Sequence, residues 1–158
     1  MKRAHFFGSL AILSVASALP AIAGAPKYAV THTDAEWKQI LGPDRYWILR
    51  QGGTEQPGSS PLNDEKRTGT YFCAGCDLAL FSSKKKYDAG EGWPSFYDVL
   101  PNVLGTQDDH ALLEDRTEAH CRRCGGHLGH IFDDGPAPTH LRYCIDGLAL
   151  NFVPGKAA

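Results

Sequence analysis

Five cysteines are the residues of this 158-residue chain best suited to chemistry, and their spacing divides them four and one. Cys73-Ala-Gly-Cys76 and Cys121-Arg-Arg-Cys124 are two Cys-x-x-Cys turns separated by 44 residues. Such a turn points two thiolates at one centre, and two of them complete a tetrahedron, which zinc accepts without a geometric preference of its own. Gly75 lies inside the first turn and Gly125-Gly126 follow the second. Glycine there lets backbone amides turn toward the sulfurs. The spacing predicts one zinc per chain on Cys73, Cys76, Cys121 and Cys124. Four sulfurs leave no open position for water, so this zinc would be structural and not catalytic. Two other readings remain. Four cysteines of an exported chain can pair as disulfides in three ways, and one Cys-x-x-Cys can be a redox pair of the thioredoxin type. Two identical spacings favour the metal over disulfides, and neither pair precedes a segment that reads as a long helix.

Cys144 is left over. An odd cysteine is a reactive thiol, an intermolecular bridge or a passive buried thiol. Arg142 lies two residues earlier, so on a strand both side chains leave the same face, and Asp146 falls on that face by the same count. A guanidinium beside a thiol favours thiolate. His127 and His130 form a His-x-x-His pair upstream, with Phe132 and Tyr143 close in sequence. Either histidine alone reads as a loop residue satisfied by backbone. Two of them with a basic residue and a spare thiol read as a catalytic site. A second metal site on the histidines would need ligands that the sequence does not offer.

The elements that must hold these residues are short. Thr33-Asp-Ala-Glu36 is a capping box, after which Trp37, Ile40 and Leu41 share a helical face and Gly42 ends the segment. Pro43 suits a first helical position, so residues 44–51 read as a second short helix before Gly52-Gly53. Residues 54–69, rich in Gly, Ser, Pro and charge, read as a loop crossing the surface. From Thr70 the pattern changes to short apolar or alternating runs at residues 70–72, 78–81, 96–100, 111–113, 128–132, 141–145 and 148–153. These predict a mainly antiparallel β domain behind a small helical N-terminal part.

The chain begins with Lys2-Arg3, a mostly apolar run over residues 4–21 and a small-x-small site, Ala21-Ile-Ala23. This has the form of a secretory signal over residues 1–23, leaving one domain over 24–158. A membrane anchor is the competing reading, disfavoured by His5, Gly8, three serines and Pro20 within the run. The domain would carry 14 basic against 18 acidic residues and no basic cluster. Nucleic acid is therefore not an expected partner, and no further run is long enough to span a bilayer.

Three stretches resemble the methionine-R-sulfoxide reductase (MsrB) family: Lys86-Tyr-Asp-Ala-Gly-Glu-Gly-Trp-Pro-Ser-Phe96, Gly126-His-Leu-Gly-His-Ile-Phe-Asp-Asp-Gly-Pro136 and Leu141-Arg-Tyr-Cys-Ile145. With the two Cys-x-x-Cys pairs, the resemblance spans about residues 30–154. It implies two antiparallel β-sheets, with the zinc remote from the active site. It also implies that Cys144 is the nucleophile, attacking the sulfoxide sulfur and becoming a sulfenic acid. His127, His130 and Arg142 match positions that shape the active site, and Trp93 matches the aromatic wall for the substrate methyl group. Two departures stand out. Asp146 replaces a frequent asparagine, and Glu91 stands where many members carry a resolving cysteine.

With four cysteines on zinc, none remains to resolve the Cys144 sulfenic acid, so an external thiol such as a thioredoxin-like protein is the expected reductant. Oxidised proteins are the expected substrates, the chain is expected to act as a monomer, and the signal places it in a periplasm or outside the cell. A zinc-stabilised binding module without turnover and a thiol-disulfide carrier are the rival functions. Metal analysis and thiol titration of the mature protein are expected to return one zinc and one titratable thiol. Five titratable thiols without metal would sink that division.

Overall fold

The computed structural model describes residues 27–110 and 115–158. The expected signal over 1–23, its boundary at 24 and the apolar run at 111–113 lie outside the described residues. No helix among the described residues is long and apolar enough to cross a membrane.

Helix α1 (Asp34–Gln51) starts at the capping box. The Glu36 amide donates to Thr33 Oγ1 at 3.3 Å, and the Thr33 amide donates to Glu36 Oε2 at 2.7 Å. Gly42, at φ 70° and ψ 173°, breaks the helical path, and Pro43 restarts it. The two expected short helices therefore run end to end. Gly52, at φ 68°, closes the second, its amide donating to the Ile48 carbonyl at 3.2 Å. Trp37, Leu41, Ile48 and Leu49 are buried, but Ile40 is 53% exposed. Trp37 and Leu41, an i, i+4 pair, carry the contact, and Ile40 falls to the solvent side of that stripe.

Strands β1 (Gly69–Cys73), β2 (Ala79–Ser82) and β9 (Leu150–Pro154) form one antiparallel sheet with β1 in the middle. The other antiparallel sheet has six strands in the order β3 (Lys86–Tyr87), β4 (Ser95–Phe96), β8 (Arg142–Ile145), β7 (His127–Phe132), β6 (Arg116–Cys121) and β5 (Leu104–Asp109). The expected mainly β architecture of two sheets is present. The strand expected over 96–100 shrinks to two residues, and β3, β5 and β6 were not expected. Strands β5 and β6, with sequences LGTQDD and RTEAHC, are largely polar on both faces, so no apolar alternation marks them. Backbone pairing with β7 is what orders β6.

Aromatic side chains join the two sheets. Phe81 of β2 stacks on Phe96 of β4 with ring centroids 4.3 Å apart, and Tyr71 of β1 meets Phe96 edge-on at 5.0 Å. Leu128, Ile145 and the α1 residues Ile48 and Leu49 complete the core. Within it, Gly129 lets β7 approach β8 closely. Its φ is 145°, and a Cβ there would lie 2.1 Å from the Cys144 carbonyl oxygen. Gly129→Ala is expected to destabilise the fold by roughly 1–3 kcal/mol from backbone strain alone, with the clash added. Urea unfolding checks this, and an unchanged midpoint would refute it.

Candidate active site and metal centre

Cys73 ends β1 and Cys76 lies in the turn leading to β2; Cys121 ends β6 and Cys124 lies in the turn leading to β7. The four sulfurs all lie within 4.8 Å of one another. The close contacts cross between turns: Cys73 Sγ to Cys124 Sγ is 3.7 Å and Cys76 Sγ to Cys121 Sγ is 3.5 Å. Sulfurs about 2.3 Å from a central ion make a tetrahedron of edge about 3.8 Å, so the group fits a metal. All four cysteines are free of disulfides. Contact with the neighbouring sulfurs pulls the Cys121 thiol below its ordinary value and pushes Cys73 above its own. Four thiolates this close would crowd negative charge, and a bound cation would relieve it. The cluster clips a hairpin of the small sheet to a hairpin of the large one, as the spacing of the cysteines implied.

Register assembles the second site. Tyr87, Ser95, Cys144, His130, Glu118 and Gln107 pair in sequence from β3 to β5 and so form one row across the large sheet. His130 Nε2 lies 2.7 Å from Asp109 Oδ2, which also accepts from Arg116 Nη2 at 2.7 Å. Burial pushes His130 below the ordinary histidine range, against the pull of Asp109. His127 Nδ1 lies 2.7 Å from Glu118 Oε1, and the two imidazole rings are 5.4 Å apart. His127 Nε2 is buried and has no hydrogen-bond partner among the described residues. Asp146 Oδ2, the acidic group facing it, is 3.9 Å away.

Asp146 follows β8 in an extended conformation, φ −62° and ψ 124°, its amide donating to the Leu128 carbonyl of β7 at 2.8 Å. Strand β8 ends at Ile145, and Asp146 opens a 3₁₀ turn over Gly147–Ala149. Its Oδ1 accepts the Glu55 amide at 2.9 Å. Burial pushes its pKa up to about 6, opposed by that amide and by His127. Arg142 donates from Nε and Nη2 to Asp134 Oδ1 and Oδ2 at 2.7 and 2.8 Å, and its guanidinium lies 4.3 Å from the Phe132 ring centroid. Trp93 donates from Nε1 to the Glu55 carbonyl at 3.1 Å and lines an open cleft with Tyr87, Lys86 and Asn63.

Two opposing influences act on the Cys144 thiol, as Arg142 and Asp146 near it in sequence imply. Burial pushes Cys144 up to about 11, and the charges of Asp146 and Glu91 add to it, whereas Arg142 lowers it. Arg142 is already paired with Asp134, so its charge does not offset the loss of water around the sulfur. Asp109, Glu118, Asp134 and Glu55 were not singled out from the sequence. Asp109 and Glu118 lie on strands that carry no apolar alternation, and Glu55 sits in a segment read as surface loop yet is only 5% exposed.

Fold and sites together define a small β-sheet protein with a four-cysteine clip and a fifth cysteine set apart from it, paired with His130 across neighbouring strands. The SelR domain model matches residues 41–154. The peptide methionine sulfoxide reductase MsrB of Methanosarcina barkeri is 50% identical over 125 residues, covering 78% of this chain and 88% of the relative. The protein of the same name from Leptospira interrogans is 50% identical over 126 residues, covering 79% and 96%. That of Pseudomonas putida is 46% identical over 132 residues, covering 82% and 98%. The chain belongs to the MsrB family, the SelR-domain proteins.

At pH 8 Asp146 is ionised and opposes the Cys144 thiolate. Asp146→Asn removes that charge, so the thiol pKa falls and alkylation by iodoacetamide is expected to run several-fold faster. An unchanged or slower rate would count against the charge argument.

Proposed function

We propose that the chain reduces methionine-R-sulfoxide, mainly in oxidised proteins, with Cys144 as nucleophile. The observation that supports this is the pairing of Cys144 with His130, whose ring lies 5.4 Å from that of His127, each imidazole meeting a carboxylate and His127 Nε2 buried without a hydrogen-bond partner among the described residues. The Cys144 sulfur attacks the sulfoxide sulfur, the oxygen is transferred to Cys144 as a sulfenic acid, and methionine leaves with its thioether restored. Two electrons pass from the thiol to the substrate, and the thiol proton ends on the sulfenic oxygen. The resting thiol is protonated, so its proton must move as the sulfur attacks. His127, His130 and Asp146 are the exchangers beside it, and the raised pKa of about 6 lets Asp146 gain and lose a proton near neutrality. An unchanged pH–rate profile in Asp146→Asn would argue against this role. Trp93 supplies an apolar wall for the substrate methyl group. Arg142, held by Asp134, fixes the strand that presents Cys144.

The cysteine cluster suits one structural zinc, which would hold the two hairpins together and take no part in the reaction. With four thiols so engaged, the sulfenic acid is reduced by two external thiols, giving their disulfide and water; a thioredoxin-like protein fits that role. Residues 1–23 direct export to a periplasm or outside the cell, and residues 24–158 act there as a monomer.

The assay offers both sulfoxide epimers with dithiothreitol to the native protein and to Cys144→Ser. Turnover of the R-epimer alone, reduced on the order of 10³-fold or more in the variant, is expected. No turnover by the native protein would favour a binding module.

A further inference from the structure

Glu55 stands at the meeting point of Trp93, Asp146 and the turn that follows β8. It is 5% exposed although its loop is rich in glycine, serine and proline. Its amide donates to Asp146 Oδ1 at 2.9 Å, and its carbonyl accepts from Trp93 Nε1 at 3.1 Å. Its carboxylate accepts from the Gly147 amide at Oε1, 2.6 Å, and from the Leu148 amide at Oε2, 3.0 Å. One residue thus holds the proposed substrate wall, the proposed proton exchanger and the turn that leaves β8. A carboxylate buried in this way is costly unless its oxygens are satisfied, and here backbone amides satisfy both. The fit is close, since a Cβ on Gly147 would lie 1.9 Å from Ser60 Oγ and 3.1 Å from Glu55 Oε1.

We infer that Glu55 is a positioning residue of the active site, its main chain fixing Trp93 and Asp146 and its carboxylate fixing the turn after Cys144. The inference rests on the proposed sulfoxide reduction. Its contacts join Trp93, two residues before the strand that pairs with Cys144, to Asp146, two residues after Cys144. The carboxylate also acts on Asp146 by charge. The groups that face Asp146 are His127 Nε2, the Glu55 amide and carboxylate, and Cys144. Arg45 of α1, with Glu65 and Arg67, lines the cleft on the outer side of Glu55. Among these groups the Glu55 charge favours the protonated form of Asp146 and His127 favours the ionised form.

Two variants separate positioning from folding. Glu55→Ala removes the carboxylate contacts, and Glu55→Gln keeps the shape and one acceptor while removing the charge. Steady-state kinetics with methionine-R-sulfoxide are measured from pH 5 to 9 and normalised to folded protein by circular dichroism. In Glu55→Gln the limb of the kcat/KM profile that Asp146→Asn abolishes is expected to move to lower pH, because Asp146 ionises more readily without the neighbouring charge. In Glu55→Ala kcat/KM is expected to fall tenfold or more per folded molecule, with Glu55→Gln recovering part of that loss. A Glu55→Gln profile that overlays the native one, with kcat/KM within twofold, would overturn the inference. So would a loss in both variants that vanishes on normalisation to folded protein. If Glu55→Ala does not fold, the Glu55→Gln profile decides alone. Native protein that turns over neither epimer defeats the functional proposal itself, an outcome distinct from active protein insensitive to Glu55.

Discussion

Four sulfurs drawn from two hairpins meet within 4.8 Å, and the relative placement of the two sheets depends on that meeting. Cys73 and Cys76 belong to the β1–β2 hairpin, and Cys121 and Cys124 to the β6–β7 hairpin. Each short sulfur contact runs from one hairpin to the other, so neither hairpin closes the cluster alone. A polar outer hairpin such as β5–β6 buries little apolar surface, and a metal-type clip at its base compensates for that. From this anchor β7 sets out with His127 and His130, and His130 pairs with Cys144 on β8.

The second constraint is charge in a dry place. His127, His130 and Arg142 are each met by a carboxylate, namely Glu118, Asp109 and Asp134. The pairing orients the rings and the guanidinium, and Arg142, though it still lowers the Cys144 pKa, is shared with Asp134. Burial then decides the state of Cys144. Orientation and thiol activation therefore pull against each other in this site, and the geometry has settled on orientation.

Much of this was legible in the sequence wherever the signal is local. The Thr33–Glu36 capping box, the Gly42-Pro43 break and the Gly52 stop depend on neighbours in the chain, and each is where expected. The two Cys-x-x-Cys turns carry their chemistry in their spacing. What was not legible depends on contacts far along the chain. Glu118 reaches its role only because β6 pairs with β7, and its strand shows no apolar face. Glu55 is buried only because a turn 92 residues later offers it two amides. The raised state of Cys144 follows from desolvation, which the residue types around it do not reveal. The spacing put Asp146 near Cys144, but its bond to the Glu55 amide, 91 residues away in the chain, was not legible.

The protonated resting state of Cys144 bears on how a repair catalyst endures its surroundings. Peroxide attacks thiolates far faster than thiols. Burial holds the Cys144 thiol above its ordinary range, which favours the thiol over the thiolate. A sulfoxide entering the pocket brings a basic oxygen of its own, so proton movement and sulfur attack can proceed together. If Cys144 carries the proposed reaction, the burial that holds its thiol back would act as a safety catch, released by the damaged residue and held against the oxidant that caused the damage.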